Sequence, residues 1–285
     1  MGDSPSPTIL RVRLGARLRT LAHDAGQSPQ AVAHHLGLSP STISKIYNGR
    51  QVVKVSAVRA LAALCGADEQ LTTELVEVAR AASRPGWWAE YNDAVAEWFR
   101  QLLGLEQAAD VIMIYEMQFV PGLLQTEEYI RATTRRARPG ISSEELERLV
   151  AFRLARQQHL HDDGTPRMTI VLDEAVLSRP VGGAAVWRAQ LERLVEVASQ
   201  PGVTLLVLPF AAGEHPLMGS AAKLLKFDSE PSLNTVYLEN DRSGQLLRST
   251  SEVSDYTERF SDLVRQAAGP EESHKMLVTL AAHYL

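Results

Sequence analysis

The 285-residue chain has one cysteine, Cys65, so it can form no intramolecular disulfide and no thiolate-based metal centre. Lysine is also scarce: five residues against twenty-four arginines. Aromatic residues make up only 6% of the chain, and three of the four tryptophans (Trp87, Trp88, Trp98) fall within one short stretch. The longest apolar run, 203–212, is interrupted by Pro209 and is too short to span a bilayer. MGDSPSPT at the start lacks a basic segment followed by an apolar one, so no signal peptide is expected. These absences point to a cytoplasmic protein. GxSxG, P-loop, GxGxxG and HExxH patterns are absent as well, so the sequence offers no familiar catalytic signature, and no enzyme activity and no cofactor are expected.

Charge is present but unevenly placed. Residues 1–66 hold eight Lys and Arg against Asp3 and Asp24, a net +6, so the remainder carries −11 of the chain's total of −5. A basic head on an acidic body implies different partners for the two parts.

The head reads as five short helices. Leu10, Leu14, Leu18 and Leu21 form one stripe. Ser28-Pro29 and Ser39-Pro40 are helix starts, and Gly26 and Gly37 are stops. Two further stripes are Val58, Leu61, Ala62, Cys65 and Leu71, Leu75, Val78. In the third helix Ile43, Ile46 and Tyr47 face inward, while Ser41, Ser44, Lys45 and Asn48 make a continuous polar face flanked by Thr42. Two helices joined by the three residues Gly37-Leu38-Ser39 have the spacing of a helix-turn-helix, whose second helix enters the DNA major groove by its N-terminal residues. Lys45 suits guanine O6 and N7, and Ser41 and Thr42 suit base edges. Asn48 and Arg50 are placed for phosphates. The polar face carries no acid, which fits a polyanion. Ser39, Pro40, Ser41, Thr42, Ser44, Lys45, Asn48 and Arg50 are therefore the candidate DNA-binding residues, with Gln30 added below.

Arg84-Pro85-Gly86 breaks the pattern, giving a head over 1–84 and a body over 85–285. The body opens with an expected helix carrying Trp88, Tyr91, Val95, Trp98, Phe99 and Leu102 on one face, an aromatic stripe suited to a core. Strands are then expected at 111–115, 168–172, 203–208, 222–227 and 235–239. Helices are expected over 142–161, 184–199, 249–268 and 271–285. Strands separated by helices define an α/β body with a mostly parallel or mixed sheet, giving an α plus α/β chain.

Three places in the body bear residues suited to chemistry. The cluster His159-Leu160-His161-Asp162-Asp163 has metal-ligand types but reads as a solvated helix end, stopped by Gly164, so no metal is expected. Asp173 reads as a helix N-cap. The 208–220 loop, LPFAAGEHPLMGS, leaves a buried strand where open α/β sheets place their sites. Its Glu214 and His215, and an exposed Leu217 and Met218, are the candidate partner- or ligand-binding residues.

Two resemblances rest on these residues. Residues 8–82 resemble the XRE (Cro/repressor-type) helix-turn-helix family through 36–46 (LGLSPSTISKI) and Asn48-Gly49-Arg50. That family often braces a phosphate with a glutamine at the start of the second helix. Pro29 stands there in this chain, leaving Gln30 as the substitute. The family's usual glutamate is replaced by Tyr47. The body, from about 87 to 280, resembles the effector domain of actinobacterial WhiJ-like regulators. The matching stretches are Tyr115-Glu116 with 120–126 (VPGLLQT), 153–157 (RLARQ), Asp173-Glu174 with Gly182, Leu208-Pro209-Phe210 with Gly213, and Tyr237-Leu238-Glu239. This resemblance implies an antitoxin-like regulator whose effector domain has no established enzymatic activity, and whose genes commonly lie beside those of small BldB-like proteins that serve as its partner.

From sequence, then, the chain is expected to be a DNA-binding transcriptional regulator, a repressor by preference, acting on double-stranded DNA as a homodimer. Its body is expected to receive either a small BldB-like protein or a small molecule held near Glu214 and His215, with an enzyme domain fused to a DNA-binding head as the third alternative.

Overall fold

The computed structural model describes residues 6–162, 166–240 and 243–284. The chain forms two compact units. One takes in the chain to Asn92 together with Phe99–Ala108, and the other takes in Asp93–Trp98 and the chain from Ala109 onward. The boundary expected at residue 84 thus falls within the first unit.

The first unit contains α1 (Pro7–Asp24), α2 (Pro29–Leu36), α3 (Pro40–Tyr47), α4 (Val55–Leu64) and α5 (Glu69–Ala82). The starts follow from capping. The side chains of Ser6, Ser28, Ser39 and Asp68 each accept a backbone N–H from the first turn of the following helix, satisfying one of the orphan donors there. Leu14, Leu18, Val32, Ile43, Ile46, Val58, Leu61 and Leu75 meet in one core. The aromatic stripe does not lie on a single helix. Trp87–Tyr91 is a 3-10 turn, the chain bends through 92–96, and α6 (Glu97–Glu106) follows. Clustered aromatics pack edge to face here, Trp87 against both Trp88 and Tyr91.

The second unit is built on one six-stranded sheet in the order β3-β2-β1-β4-β5-β6. Its strands are β1 (Val111–Glu116), β2 (Arg167–Asp173), β3 (Val203–Leu208), β4 (Ala222–Lys226), β5 (Thr235–Asn240) and β6 (Ser243–Leu247). β1, β2 and β3 are parallel, and β4, β5 and β6 run as an antiparallel meander from β1, so the sheet is mixed. The parallel pairs need crossovers. α7 (Glu127–Ala137) and α8 (Ser143–Asp162) join β1 to β2, and α9 (Glu174–Leu177) and α10 (Ala184–Ala198) join β2 to β3. α11 (Thr250–Gln266) and α12 (Pro270–His283) close the chain. Phe260 and Leu263 of α11 are fully buried with Tyr115, Val171, Leu206, Leu224 and Val236 on one face of the sheet. α10 and α12 pack against β3 and against each other.

The 120–126 stretch between β1 and α7 owes its composition to this crossover. It is an irregular backbone that must be buried, so its polar groups need partners. Gln190, fully buried on α10, accepts the Thr126 N–H (2.8 Å) and donates to the Leu124 carbonyl (2.8 Å). Gln157 of α8 donates to the carbonyls of Gly122 (2.8 Å) and Gln125 (2.9 Å). Gln125 itself donates to the Val120 carbonyl (2.7 Å) and accepts from Arg153 (3.1 Å).

Candidate nucleic-acid interface

α3 is eight residues long, about 12 Å at the α-helical rise. So short a helix is marginal alone, and three features fix it. The first is its start: Ser39 Oγ accepts the Thr42 N–H (3.1 Å), and Pro40 holds the first turn. The second is its inward face, where Ile43, Ile46 and Tyr47 are all buried. The third is its close approach to α1. A Cβ on Gly15 would lie 2.3 Å from the Ile46 carbonyl oxygen and 2.7 Å from that of Tyr47. The chain leaves α3 through Gly49, at φ +66, whose missing Cβ would strike Val12 at 2.8 Å. The turn before α3 is set by Gly37, left-handed at φ 62.

The outward face is as the spacing implies. Ser39, Pro40, Ser41, Ser44, Lys45, Asn48 and Arg50 are exposed and Thr42 is half-buried. The hydroxyls of Ser41 and Thr42 each lie 2.9 Å from Ser39 Oγ, so the first turn presents a cluster of donors and acceptors. Lys45 and Arg50 take part in no ion pair among the described residues, whereas Arg17 on the flank of α1 is paired with Glu74 (3.2 Å). Gln30 is exposed in the first turn of α2, beside the Ser28 cap. Asn48 is committed differently from expectation: its side-chain amide donates to the Ser44 carbonyl (2.8 Å) and caps the end of α3. The substituted position, Tyr47, lies inside the core with its hydroxyl buried and unpartnered, and burial holds that phenol above its ordinary range.

The 208–220 loop is built as a latch. It leaves the C-terminal end of β3, beside the ends of β1 and β2. The Tyr115 hydroxyl donates to Asp173 (3.2 Å) and lies 3.2 Å from His215 Nε2, with the two rings edge to face at 5.3 Å. Because the Leu217 N–H donates to His215 Nδ1 (3.3 Å), the neutral ring carries its proton on Nε2 and gives it to the tyrosine oxygen. Burial lowers the His215 pKa below its ordinary value, with Asp173 working against that shift. Burial first, then the Asp173 carboxylate, raises the Tyr115 phenol. Asp173 also caps α9 as expected, accepting the Ala175 N–H (2.8 Å), and Glu174 accepts the Phe210 N–H (2.7 Å).

Two consequences differ from the sequence reading. Leu217 is not exposed: it is 3% accessible and packs with Tyr115, Leu206, Leu208 and Phe260, because the His215 ring turns the chain back onto the sheet. His215 is itself largely enclosed, its side chain 6% accessible and in contact with Tyr115. Glu214 and Met218 remain on the surface, and Phe210, which was not among the candidate binding residues, is 62% exposed. A cleft of about 700 Å³ lies instead between α9 and α12, with Leu177, Met276 and Leu280 among its lining and Glu174, Glu272 and Lys275 at its polar positions. The 159–163 cluster lies partly outside the described residues. Among those described, no three His, Cys, Asp or Glu residues are grouped to hold a metal, and no helix is long and apolar enough to cross a membrane.

An exposed, acid-free recognition helix held on a buried bundle defines a helix-turn-helix DNA-binding protein, and a model described as "Helix-turn-helix domain" matches residues 13–75. The chain is thus a DNA-binding regulator in its N-terminal part. Residues 99–279, well over half the chain, match the model described as "Domain of unknown function (DUF5753)", and the chain belongs to that family. No curated protein and no solved structure matches it.

Proposed function

We propose that this protein is a cytoplasmic, sequence-specific transcriptional repressor of antitoxin-like type, which binds DNA as a homodimer through α3 and is controlled by a small BldB-like protein held by the second unit. The observation that supports this most is the exposed, acid-free face of Ser41, Ser44 and Lys45 on α3, with Lys45 and Arg50 in no ion pair among the described residues. Hydroxyls and a guanine-directed ammonium read base edges, and Arg50 supplies a phosphate contact. One helix reads only a few base pairs, so two copies on paired half-sites are the natural arrangement. The acidic second unit repels phosphate, which favours a protein or small-molecule partner there over nucleic acid. In this reading it acts as a receptor, and Asp173, Tyr115 and His215 serve to hold the 208–220 loop in place.

The test is selection of binding sites from random duplex DNA by the purified full-length protein, followed by a shift assay on the recovered site with and without the co-expressed BldB-like neighbour. Enrichment of a two-fold symmetric site, with affinity changed by the neighbour, is expected. Failure to enrich any sequence would overturn the reading.

A second reading, in which a small molecule replaces the protein partner, is favoured by the α9–α12 cleft, whose volume is in the range small ligands fill. Melting shifts from a metabolite panel, abolished by Leu280→Trp, would support it.

A further inference from the structure

The two edges of the sheet are unlike. At β3 the outward groups of Val207 are occupied: its carbonyl accepts the Ala268 N–H (2.9 Å) and its N–H donates to Ser273 Oγ (2.9 Å). The junction of α11 and α12 therefore closes that edge. At the other end, β6 pairs with β5 over Ser243–Leu247, and among the described residues nothing pairs with its outward side. An open ladder of N–H and C=O groups is a template for another strand, and proteins that keep one unpaired guard it with charge, proline or a bulge. β6 has none of these. It reads Ser-Gly-Gln-Leu-Leu, and its register with β5 runs unbroken from Ser243 to Leu247.

We propose that β6 is the dimer contact of this protein: β6 of one copy pairs antiparallel with β6 of a second about a two-fold axis centred on Gln245, joining two six-stranded sheets into one continuous sheet. This deepens the homodimer reading above and rests on it. The occupant follows from the strand itself. It must offer an open, uncharged edge of matching length, and the same chain provides one in β6, since its other edge is closed. Identical strands related by a two-fold axis pair antiparallel, each giving the other what it receives. Charge favours the same place. The second unit has an excess of acidic over basic residues, so like charge opposes its self-association, and Ser243–Leu247 carries no charged side chain to add to that repulsion.

Gln245 is exposed, and in this pairing its side chain stands about 5 Å from its own copy. Gln245→Lys and Gln245→Glu therefore each set like charges against each other in the full-length dimer, while a mixture of the two sets opposite charges together. Sedimentation velocity at micromolar concentration is expected to show a wild-type dimer, each variant alone dissociating at least tenfold more readily, and the equimolar mixture recovering a heterodimer. A wild-type protein that stays monomeric to 100 µM overturns both the homodimer reading and this contact. A wild-type dimer that both variants retain overturns the contact and leaves the homodimer standing. Variants that dissociate but fail to recombine when mixed also overturn it, because loss without charge rescue is not loss of this pairing.

Discussion

Gly15→Ala separates two physical effects by sign. Gly15 is interior to α1, where helix propensity alone makes alanine better by about 1 kcal/mol. The structure gives the opposite answer. The added Cβ would lie 2.3 Å from the Ile46 oxygen and 2.7 Å from the Tyr47 oxygen, both backbone atoms at the end of α3. A carbon-to-carbonyl contact needs about 3.3 Å, so α3 must withdraw by about 1 Å. Backbone cannot swing aside as a long side chain can, and overpacking of this kind costs roughly 1–3 kcal/mol. The net expectation is a loss of up to about 2 kcal/mol. For a unit of this size that lowers Tm by up to roughly 15 °C. On the proposed reading the retreat also displaces Ser41, Ser44 and Lys45 from the groove, so operator affinity is expected to fall tenfold or more at fixed salt. Scanning calorimetry of the full-length protein and a shift assay well below the melt measure the two effects. A variant that melts at or above the wild type and binds the operator equally well would refute the account of how α3 is held.

Lys45→Ala should cost ~1–3 kcal/mol on the cognate operator and relax one base position per half-site, whereas Arg50→Ala should weaken all sequences alike and lower the salt slope by about one contact; both are read from shift assays across salt concentrations. Gln190→Leu strands the Leu124 carbonyl and the Thr126 N–H, and urea unfolding should show a loss of roughly 1–3 kcal/mol in the second unit. Burial pushes Glu116 up from its ordinary 4.5 to about 7, against the partial relief of Lys223; the folded state thus holds that proton more tightly, stability is lost as pH rises from 4.5 through 7, and Glu116→Gln should gain up to ~3 kcal/mol at pH 8 and little at pH 4.5. His215 has the opposite sign: its lowered pKa leaves its contribution intact above the ordinary 6.5 and removes it as pH falls below, so His215→Gln should flatten the acid side of the stability profile.

What the sequence by itself determined were the features carried by local chemistry. A serine followed by proline and a glycine at the exit are sufficient to place α2 and α3, because capping and left-handed closure act over four or five residues. The outward face of α3 follows from angular spacing alone, and five of the six strands from runs of apolar residues. The elements hidden from it are those whose apolar signal is thin. β6 carries only Leu246 and Leu247, and α7 begins Glu-Glu and ends Arg-Arg-Ala, its buried side chains confined to Tyr129, Ile130 and Thr134. The tertiary structure decided what depends on residues far apart in the chain. It alone placed Leu217 inside, because the turn that buries it is held by His215, Tyr115 and Asp173 from three separate segments. It alone gave Gln190 and Gln157 their purpose, since the carbonyls they satisfy lie more than thirty residues away. It alone made one edge of the sheet closed and the other open, because an edge is a property of strand order, and strand order is fixed only when every crossover has been packed.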